Sequence, residues 1–121
     1  MKRRLFIGSA LVLATRICVA KEAISPEEMA RIEHLCDAVA RSKGMHFVRN
    51  GTAYSADDAA TFLREKLKAM GHGVTTAEEF IDKVATKSSM SGKPYTVRFV
   101  DGREIPSADF LRAELARKPR R

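Results

Sequence analysis

The chain has 121 residues, a formal net charge of +7 and 45% hydrophobic residues, a length that fits one domain with its own hydrophobic core. The positive charge lies at the two ends, because the segment from Lys21 to Ala116 contains 14 basic and 15 acidic residues. No basic stripe interleaved with aromatic residues runs through that segment, so nucleic acid is excluded as the expected partner.

The first twenty residues have the pattern of a secretory signal peptide. A basic region at residues 2–4 precedes an apolar stretch at residues 5–14, and Cys18-Val19-Ala20 offers small residues at the −3 and −1 positions of a cleavage site. We therefore expect a mature chain that begins at Lys21 in the periplasm and has no transmembrane segment after cleavage. A retained N-terminal anchor is the alternative, although the apolar stretch is too short to span a bilayer as a helix.

The arginine pair Arg3-Arg4 leaves the export route open, because it resembles a twin-arginine signal. Lys2 stands where such signals usually have Ser or Thr, and the basic region is short. The general secretory route is therefore favoured, and either route ends outside the cytoplasm.

Cys36 is the one cysteine that remains after removal of the signal peptide, so no intramolecular disulfide is expected. Its neighbours Leu35 and Val39 indicate a thiol packed in the core rather than a reactive one. The stability of the fold must therefore come from its hydrophobic core.

The predicted elements begin with a helix and a tight turn. Ser25 as the N-cap, Pro26 at the first helical position and Glu28 as a capping-box acid predict a helix that ends near Ser42. Residues 45–48 are predicted to be extended, and Asn50-Gly51 then predicts a tight turn with Tyr54 in the returning arm.

Two further helices follow. Ser55 is predicted to cap a helix that ends before Gly71-His72-Gly73. A third helix is predicted to open at Thr75 or Thr76, with Glu78 or Glu79 as its capping-box acid, and its apolar stripe runs to residue 85.

The last part of the chain predicts strands and a fourth helix. Tyr95 to Phe99 alternate as in a strand, and Asp101-Gly102 turns the chain back through residues 103–105. Ser107 is predicted to cap the last helix. We therefore predict one α+β domain over residues 21–116, rich in helix, with about four helices and a small antiparallel β-hairpin, followed by a basic tail at residues 117–121.

Four ordered blocks carry a resemblance to a known family. The segments "FVRNGTAY", "FLREKL", "TAEEFIDKVA" and "SSMSGKPYTVRF" resemble the YfeK-like family of small exported bacterial proteins. The resemblance spans roughly residues 24–115. It implies an exported periplasmic domain without an assigned reaction.

A candidate ligand-binding site is predicted where the Asn50-Gly51 turn meets the loop at residues 88–93, hereafter the serine loop. An arginine fork, hydroxyl groups and loop N–H groups can together hold an anion. The candidate residues are Arg49, Asn50, Lys83, Ser88, Ser89, Ser91, Lys93 and Tyr95. The alternative is that the serine loop is a structural turn, because turn chemistry alone explains Ser, Gly and Pro at these places. This alternative is favoured.

No catalytic residue, metal ligand or cofactor is predicted. A serine nucleophile needs an oriented base, and His34 and His46 show no partner pattern in the sequence. The chain contains no G-x-S-x-G elbow, its serine loop lacks S-x-x-K spacing, and "SGK" lacks the earlier glycine of a phosphate loop. An enzymatic role is therefore left open but not favoured.

Three functions remain from the sequence. The favoured one is a periplasmic interaction module that binds another protein or an envelope component through the two turns. The second is a small enzyme or anion binder that uses the Ser88–Lys93 loop with Arg49. The third is a binder of anionic envelope surfaces through the basic tail.

Overall fold

The computed structural model describes residues 23–117, which contain four helices and four short strands. In chain order they are α1 (Pro26–Arg41), β1 (His46–Arg49), β2 (Thr52–Tyr54), α2 (Ala56–Met70), α3 (Ala77–Lys83), β3 (Thr96–Arg98), β4 (Glu104–Pro106) and α4 (Ser107–Ala116). The predicted helix-rich α+β class is confirmed. The predicted signal peptide at residues 1–20, and residues 118–121 of the predicted basic tail, lie outside the described residues.

The strands form one antiparallel sheet of four strands in the order β2-β1-β3-β4, which is larger than the single hairpin expected. The sheet consists of two local hairpins, β1–β2 and β3–β4. Antiparallel pairing of β1 with β3, where Phe47 lies opposite Val97, joins the two hairpins at the centre of the sheet. The turn between β1 and β2 is the one predicted at Asn50-Gly51, and both of its residues have positive φ, 50° and 81°. That pair of dihedral angles is typical of a tight type I′ hairpin turn.

A buried carboxylate connects α1 to α3. The Ser25 side chain accepts a hydrogen bond from the Glu28 backbone N–H, as predicted for an N-cap. The Glu28 carboxylate itself is only 6% exposed and reaches across to α3, where its Oε1 accepts a hydrogen bond from Ala77 N at 2.9 Å. The same oxygen lies 2.8 Å from Nη1 of Arg31, which is also buried. Glu28 therefore holds two helices together.

The N-termini of α3 and α4 differ from each other. Thr76 caps α3 by accepting a hydrogen bond from Glu79 N at 3.1 Å. The Glu79 carboxylate accepts hydrogen bonds from the Thr75 backbone N–H and hydroxyl, and these bonds lower the pKa of Glu79. The prediction that Ser107 caps α4 is wrong, because β4 runs directly into the helix and Pro106 takes the cap position without a side-chain hydrogen bond.

The core lies between the sheet and the helices. Helix α1 packs against α2, α3 and α4, while α2 packs against β1 and α4 packs against β3 and β4. Large apolar side chains with less than 2% exposure fill this space, including Ile32, Leu35, Phe47, Leu63, Phe80, Ile81, Val97 and Leu111. The Cys36 thiol is also buried there, and burial raises its pKa to about 12. Cys36 is therefore a core residue, as expected. No helix within residues 23–117 is long and apolar enough to cross a membrane.

The contact between Glu28 and α3 predicts a specific loss of stability. Glu28→Gln keeps the shape of the side chain but removes the charge beside the buried Arg31, which retains Glu78 as a partner. We expect the free energy of unfolding to fall by about 1–3 kcal/mol in denaturant titrations. Glu27→Gln, at an exposed acid in the same helical turn, is the matched control and should change stability far less. Equal losses in the two variants would contradict the account of the α1–α3 contact.

Candidate functional site

Three side chains on one face of α2 lie next to the serine loop. Phe62, Lys66 and Met70 are four residues apart, so they lie one above another on the same side of the helix. The Phe62 ring packs edge-on against Tyr95, with ring centroids 5.7 Å apart. Tyr95 also packs against Phe47 of β1 at 5.2 Å. This aromatic cluster joins α2 to the sheet and to the residue that follows the serine loop.

The serine loop is closed by its own hydrogen bonds. Ser88 N donates to the Lys93 carbonyl at 3.0 Å, and Gly92 N donates to the Ser88 carbonyl at 2.9 Å. The Ser88 hydroxyl oxygen accepts hydrogen bonds from the backbone N–H groups of Met90 and Ser91 at 3.2 and 3.3 Å. These contacts hold the loop in one shape.

Asn50 connects the β1–β2 turn to the serine loop. Its Oδ1 accepts a hydrogen bond from the Ser91 hydroxyl at 2.6 Å, and its Nδ2 donates to the Ser88 hydroxyl oxygen at 3.4 Å. The two turns therefore meet, as the candidate site required. Asn50, Ser88 and Ser91 bind each other, which supports the structural interpretation of the loop.

A surface groove of about 350 Å³ lies between α2, the end of β1 and the serine loop. We call it the α2–loop groove. The residues that line it are Arg49, Phe62, Glu65, Lys66, Ala69, Met70, Ser88, Ser89, Met90 and Tyr95. Its size is at the small end of the range for ligand-binding pockets in proteins.

Arg49 lies half-buried in this groove beside aromatic rings. Its Nη1 donates to the Tyr54 hydroxyl at 3.2 Å, and its guanidinium carbon lies 4.5 Å from the centroid of the Phe62 ring. Its Nε is buried and has no hydrogen-bond partner among residues 23–117. A guanidinium has five N–H donors, so Arg49 retains most of its capacity to donate.

Lys66 is the most buried cation of the groove, with only 6% of the residue exposed. Its Nζ donates to the Lys87 carbonyl at 2.9 Å and to the Tyr95 hydroxyl at 2.8 Å. An ammonium group has three donors, so one remains available. No carboxylate of residues 23–117 forms an ion pair within 4.0 Å of either Lys66 or Arg49. The α2–loop groove therefore contains two cations without carboxylate partners.

Two other surface grooves show the usual arrangement, in which each arginine faces acids. In a groove of about 420 Å³ between α1, α3 and α4, Arg112 lies 2.9 Å from Asp82, and Arg31 is paired as described above. In a groove of about 350 Å³ between α1 and α2, Arg64 lies within 3.1 Å of two carboxylates. In these two grooves the arginines have carboxylate partners, whereas Arg49 and Lys66 of the α2–loop groove have none among residues 23–117.

The predicted candidates divide into three groups. Arg49, Ser88, Ser89 and Tyr95 line the groove. Asn50, Ser91 and Lys93 belong to the turns that support it, and Lys93 contributes backbone contacts to the loop. Lys83 does not join them, because its Nζ faces the Gly73 carbonyl at 3.5 Å beyond the end of α2.

Sequence reasoning missed the helical half of the groove. The sequence predicted α2 from its cap at Ser55 and its end before Gly71, and none of Phe62, Lys66 and Met70 was included as a site residue. The sequence feature that could have indicated this half is Lys66, which lies between Phe62 and Met70 at spacing i, i+4, i+8. This spacing places its ammonium group on an otherwise apolar face of the helix. Such a lysine is desolvated unless its helix face is open to water.

The α2–loop groove contains hydroxyl groups but no histidine among its lining residues. His34 lies in α1, and His46 is exposed at the start of β1. Within residues 23–117, no group of three or more His, Cys, Asp or Glu side chains is placed to hold a metal ion. What the groove offers chemically is therefore positive charge, N–H donors and aromatic surface.

Fold and groove together define a small α+β domain with a basic, aromatic-lined groove beside one helix. Residues 26–119 match the model of a family described as a family of unknown function, DUF5329. The chain belongs to this family. It is 46% identical over 72 residues to a protein of Salmonella typhimurium strain LT2 described as "Uncharacterized protein YfeK".

That similarity confirms the resemblance to the YfeK-like family. The matched region covers 60% of this chain and 60% of the Salmonella protein, so it spans less than two thirds of that relative. No solved structure matches this chain. The family membership therefore carries no activity over to this protein, and the function must be argued from the groove.

The serine loop generates a prediction about its glycine. Gly92 has a φ of 75°, and a Cβ atom there would meet nothing within 4 Å, so the backbone angle is the constraint rather than the space. We expect Gly92→Val to lower the free energy of unfolding by about 1–3 kcal/mol in a denaturant titration. Gly92→Asn should lose clearly less, because asparagine tolerates positive φ. If the two variants were equally stable, positive φ at this position would not be what shapes the loop.

Proposed function

We propose that this protein is an exported binding module of the cell envelope, which takes an anionic group of its ligand in the α2–loop groove. The observation that carries the proposal is that Arg49 and Lys66 share one groove and have no carboxylate partner among residues 23–117. The proposal combines two functions that the sequence left open, the interaction module and the anion binder. It uses α2 where the sequence had pointed to the serine loop.

Arg49 and Lys66 hold positive charge in a partly desolvated groove. Removing an ammonium or guanidinium group from water is unfavourable unless an opposite charge and hydrogen bonds compensate. Lys66 has hydrogen bonds to two neutral oxygens, and Arg49 has one neutral hydroxyl partner. An anion in the groove would provide the missing negative charge, and each hydrogen bond to a charged group contributes about 1.5–3 kcal/mol.

Glu65 is the one acid among the lining residues, and it does not fill this role. Its side chain is exposed, and its carboxylate lies 4.0 Å from Lys68 on the next turn of the helix. A carboxylate in that position repels a bound anion weakly instead of pairing with Lys66. The proposal therefore expects that loss of the Glu65 charge favours anion binding.

The serine loop has a supporting role in this proposal. Its hydroxyl groups at Ser88 and Ser91 already bind Asn50 and the backbone of the loop itself. Such groups fix the wall of the groove beside α2. Rigid placement of a binding group lowers the entropy lost when the ligand binds.

The envelope location rests on the sequence. A basic region, a short apolar stretch and small residues before Lys21 are typical of exported proteins. The proposal therefore includes a mature chain that starts at Lys21 and functions outside the cytoplasm.

An NMR titration with sodium acetate tests the anion site directly. We expect the backbone amides of Lys66, Ser88 and Ser89 to shift with added acetate at constant ionic strength. Arg49→Gln should weaken this response at least about fivefold, because it removes a charged hydrogen-bond donor worth roughly 1 kcal/mol or more. Glu65→Gln should leave it equal or stronger.

Lys83→Gln is the matched control, since it removes the same charge from a lysine outside the groove. It should leave the acetate response unchanged. Shifts that fall elsewhere on the domain, or an equal effect of Arg49→Gln and Lys83→Gln, would contradict the proposed function.

A further inference from the structure

Apolar side chains are exposed at the same groove that holds the two cations. Three large apolar residues of the described chain are strongly exposed, and two of them, Met70 and Met90, line the α2–loop groove. Met70 is 50% exposed and Met90 is 94% exposed. The third, Val100, is 82% exposed and lies outside the lining of the groove. Clustered exposed apolar surface indicates a binding site more strongly than scattered residues do.

The two methionines come from opposite walls. Met70 is the last residue of α2, and Met90 lies in the serine loop. The Met70 sulfur accepts a hydrogen bond from the Ser89 hydroxyl at 3.5 Å, so the two walls approach each other there. Methionine side chains are flexible and polarisable, which lets them fit apolar groups of different shape.

We propose that the ligand of the α2–loop groove is a single-chain amphiphile with one carboxylate head group. This inference rests on the proposed function and adds the chemical class of the ligand. The carboxylate is bound by Arg49 and Lys66, and the apolar chain lies between Met70 and Met90. The volume of about 350 Å³ suits a small ligand of this kind.

The donor arrangement favours a carboxylate head. Tyr54 occupies Nη1 of Arg49, and Nε is buried, so Nη2 is the nitrogen left to donate to a ligand, with no acceptor among residues 23–117. Lys66 on α2 has one further N–H donor. The two cationic donors can each bind one oxygen of a carboxylate.

The burial of Lys66 favours a free amphiphile over a membrane surface. A lipid head group that stays in a bilayer meets exposed cations, whereas Lys66 is only 6% exposed and lies in a concave site. A monomeric ligand can enter the groove with its charged head first. The proposal therefore commits to a dissolved amphiphile as the occupant.

Isothermal titration of the mature protein with octanoate, acetate and 1-octanol tests this inference. We expect octanoate to bind at least about tenfold more tightly than acetate, since each methylene buried in an apolar site strengthens binding about fourfold. Octanol should bind at least about tenfold more weakly than octanoate, because it lacks the charge that Arg49 and Lys66 require.

Variants separate the head from the chain. Arg49→Gln should weaken the binding of octanoate but not the binding of octanol. The double change Met70→Gln and Met90→Gln should lower the affinity for octanoate to about the affinity for acetate. Val100→Thr changes the exposed apolar residue outside the groove, and it should leave the affinity for both ligands unchanged. Thermal melts of each variant exclude unfolding as the cause.

Three results would contradict the proposal of an amphiphilic ligand. Equal affinity for acetate and octanoate would remove the apolar part of the inference and leave the anion site of the proposed function intact. Equal affinity for octanol and octanoate would remove the role of the charged head. Binding only to vesicles of anionic phospholipid, with none to octanoate, would show that the surface recognises a membrane.

Discussion

The buried ammonium group of Lys66 is the contact on which the candidate site depends. It reaches from α2 to the Lys87 carbonyl and the Tyr95 hydroxyl, so it fixes the residues on both sides of the serine loop. The same group contributes a positive charge that has no carboxylate partner in the described part of the chain, residues 23–117. One side chain thus shapes the groove and adds to its positive charge, because two neutral oxygens accept hydrogen bonds from Lys66 but do not compensate its charge.

The hydrogen bonds of the serine loop show why polar density is a poor guide to a site. Ser88, Ser91 and Asn50 are rich in donors and acceptors, yet they bind each other and the backbone. Unused capacity lies instead on Arg49 and Lys66, which stand among aromatic rings. A group surrounded by apolar neighbours has fewer partners available within the protein, and for that reason it is better placed to bind a ligand.

Much of the fold was predictable because its signals are local. The cap at Ser25, the Asn50-Gly51 turn and the helical stripes depend on neighbours in sequence, and the structure has them at the expected places. The pairing of Phe47 with Val97 was not predictable, since no local pattern specifies which two hairpins share an edge. Part of the groove was predictable for the same reason. Arg49 directly precedes a recognisable turn and Ser88 begins the serine loop, whereas Lys66 joins them only through the packing of α2.

A crystal structure of the protein with octanoate tests the central claim most directly. We predict a carboxylate within about 2.7–3.2 Å of both Arg49 and the Lys66 ammonium group, with the chain of the ligand between Met70 and Met90. In the ligand-free crystal, Lys66 should again lack an acidic partner from the protein. A Lys66 ammonium group paired with Glu65, or octanoate bound away from the α2–loop groove, would contradict the account.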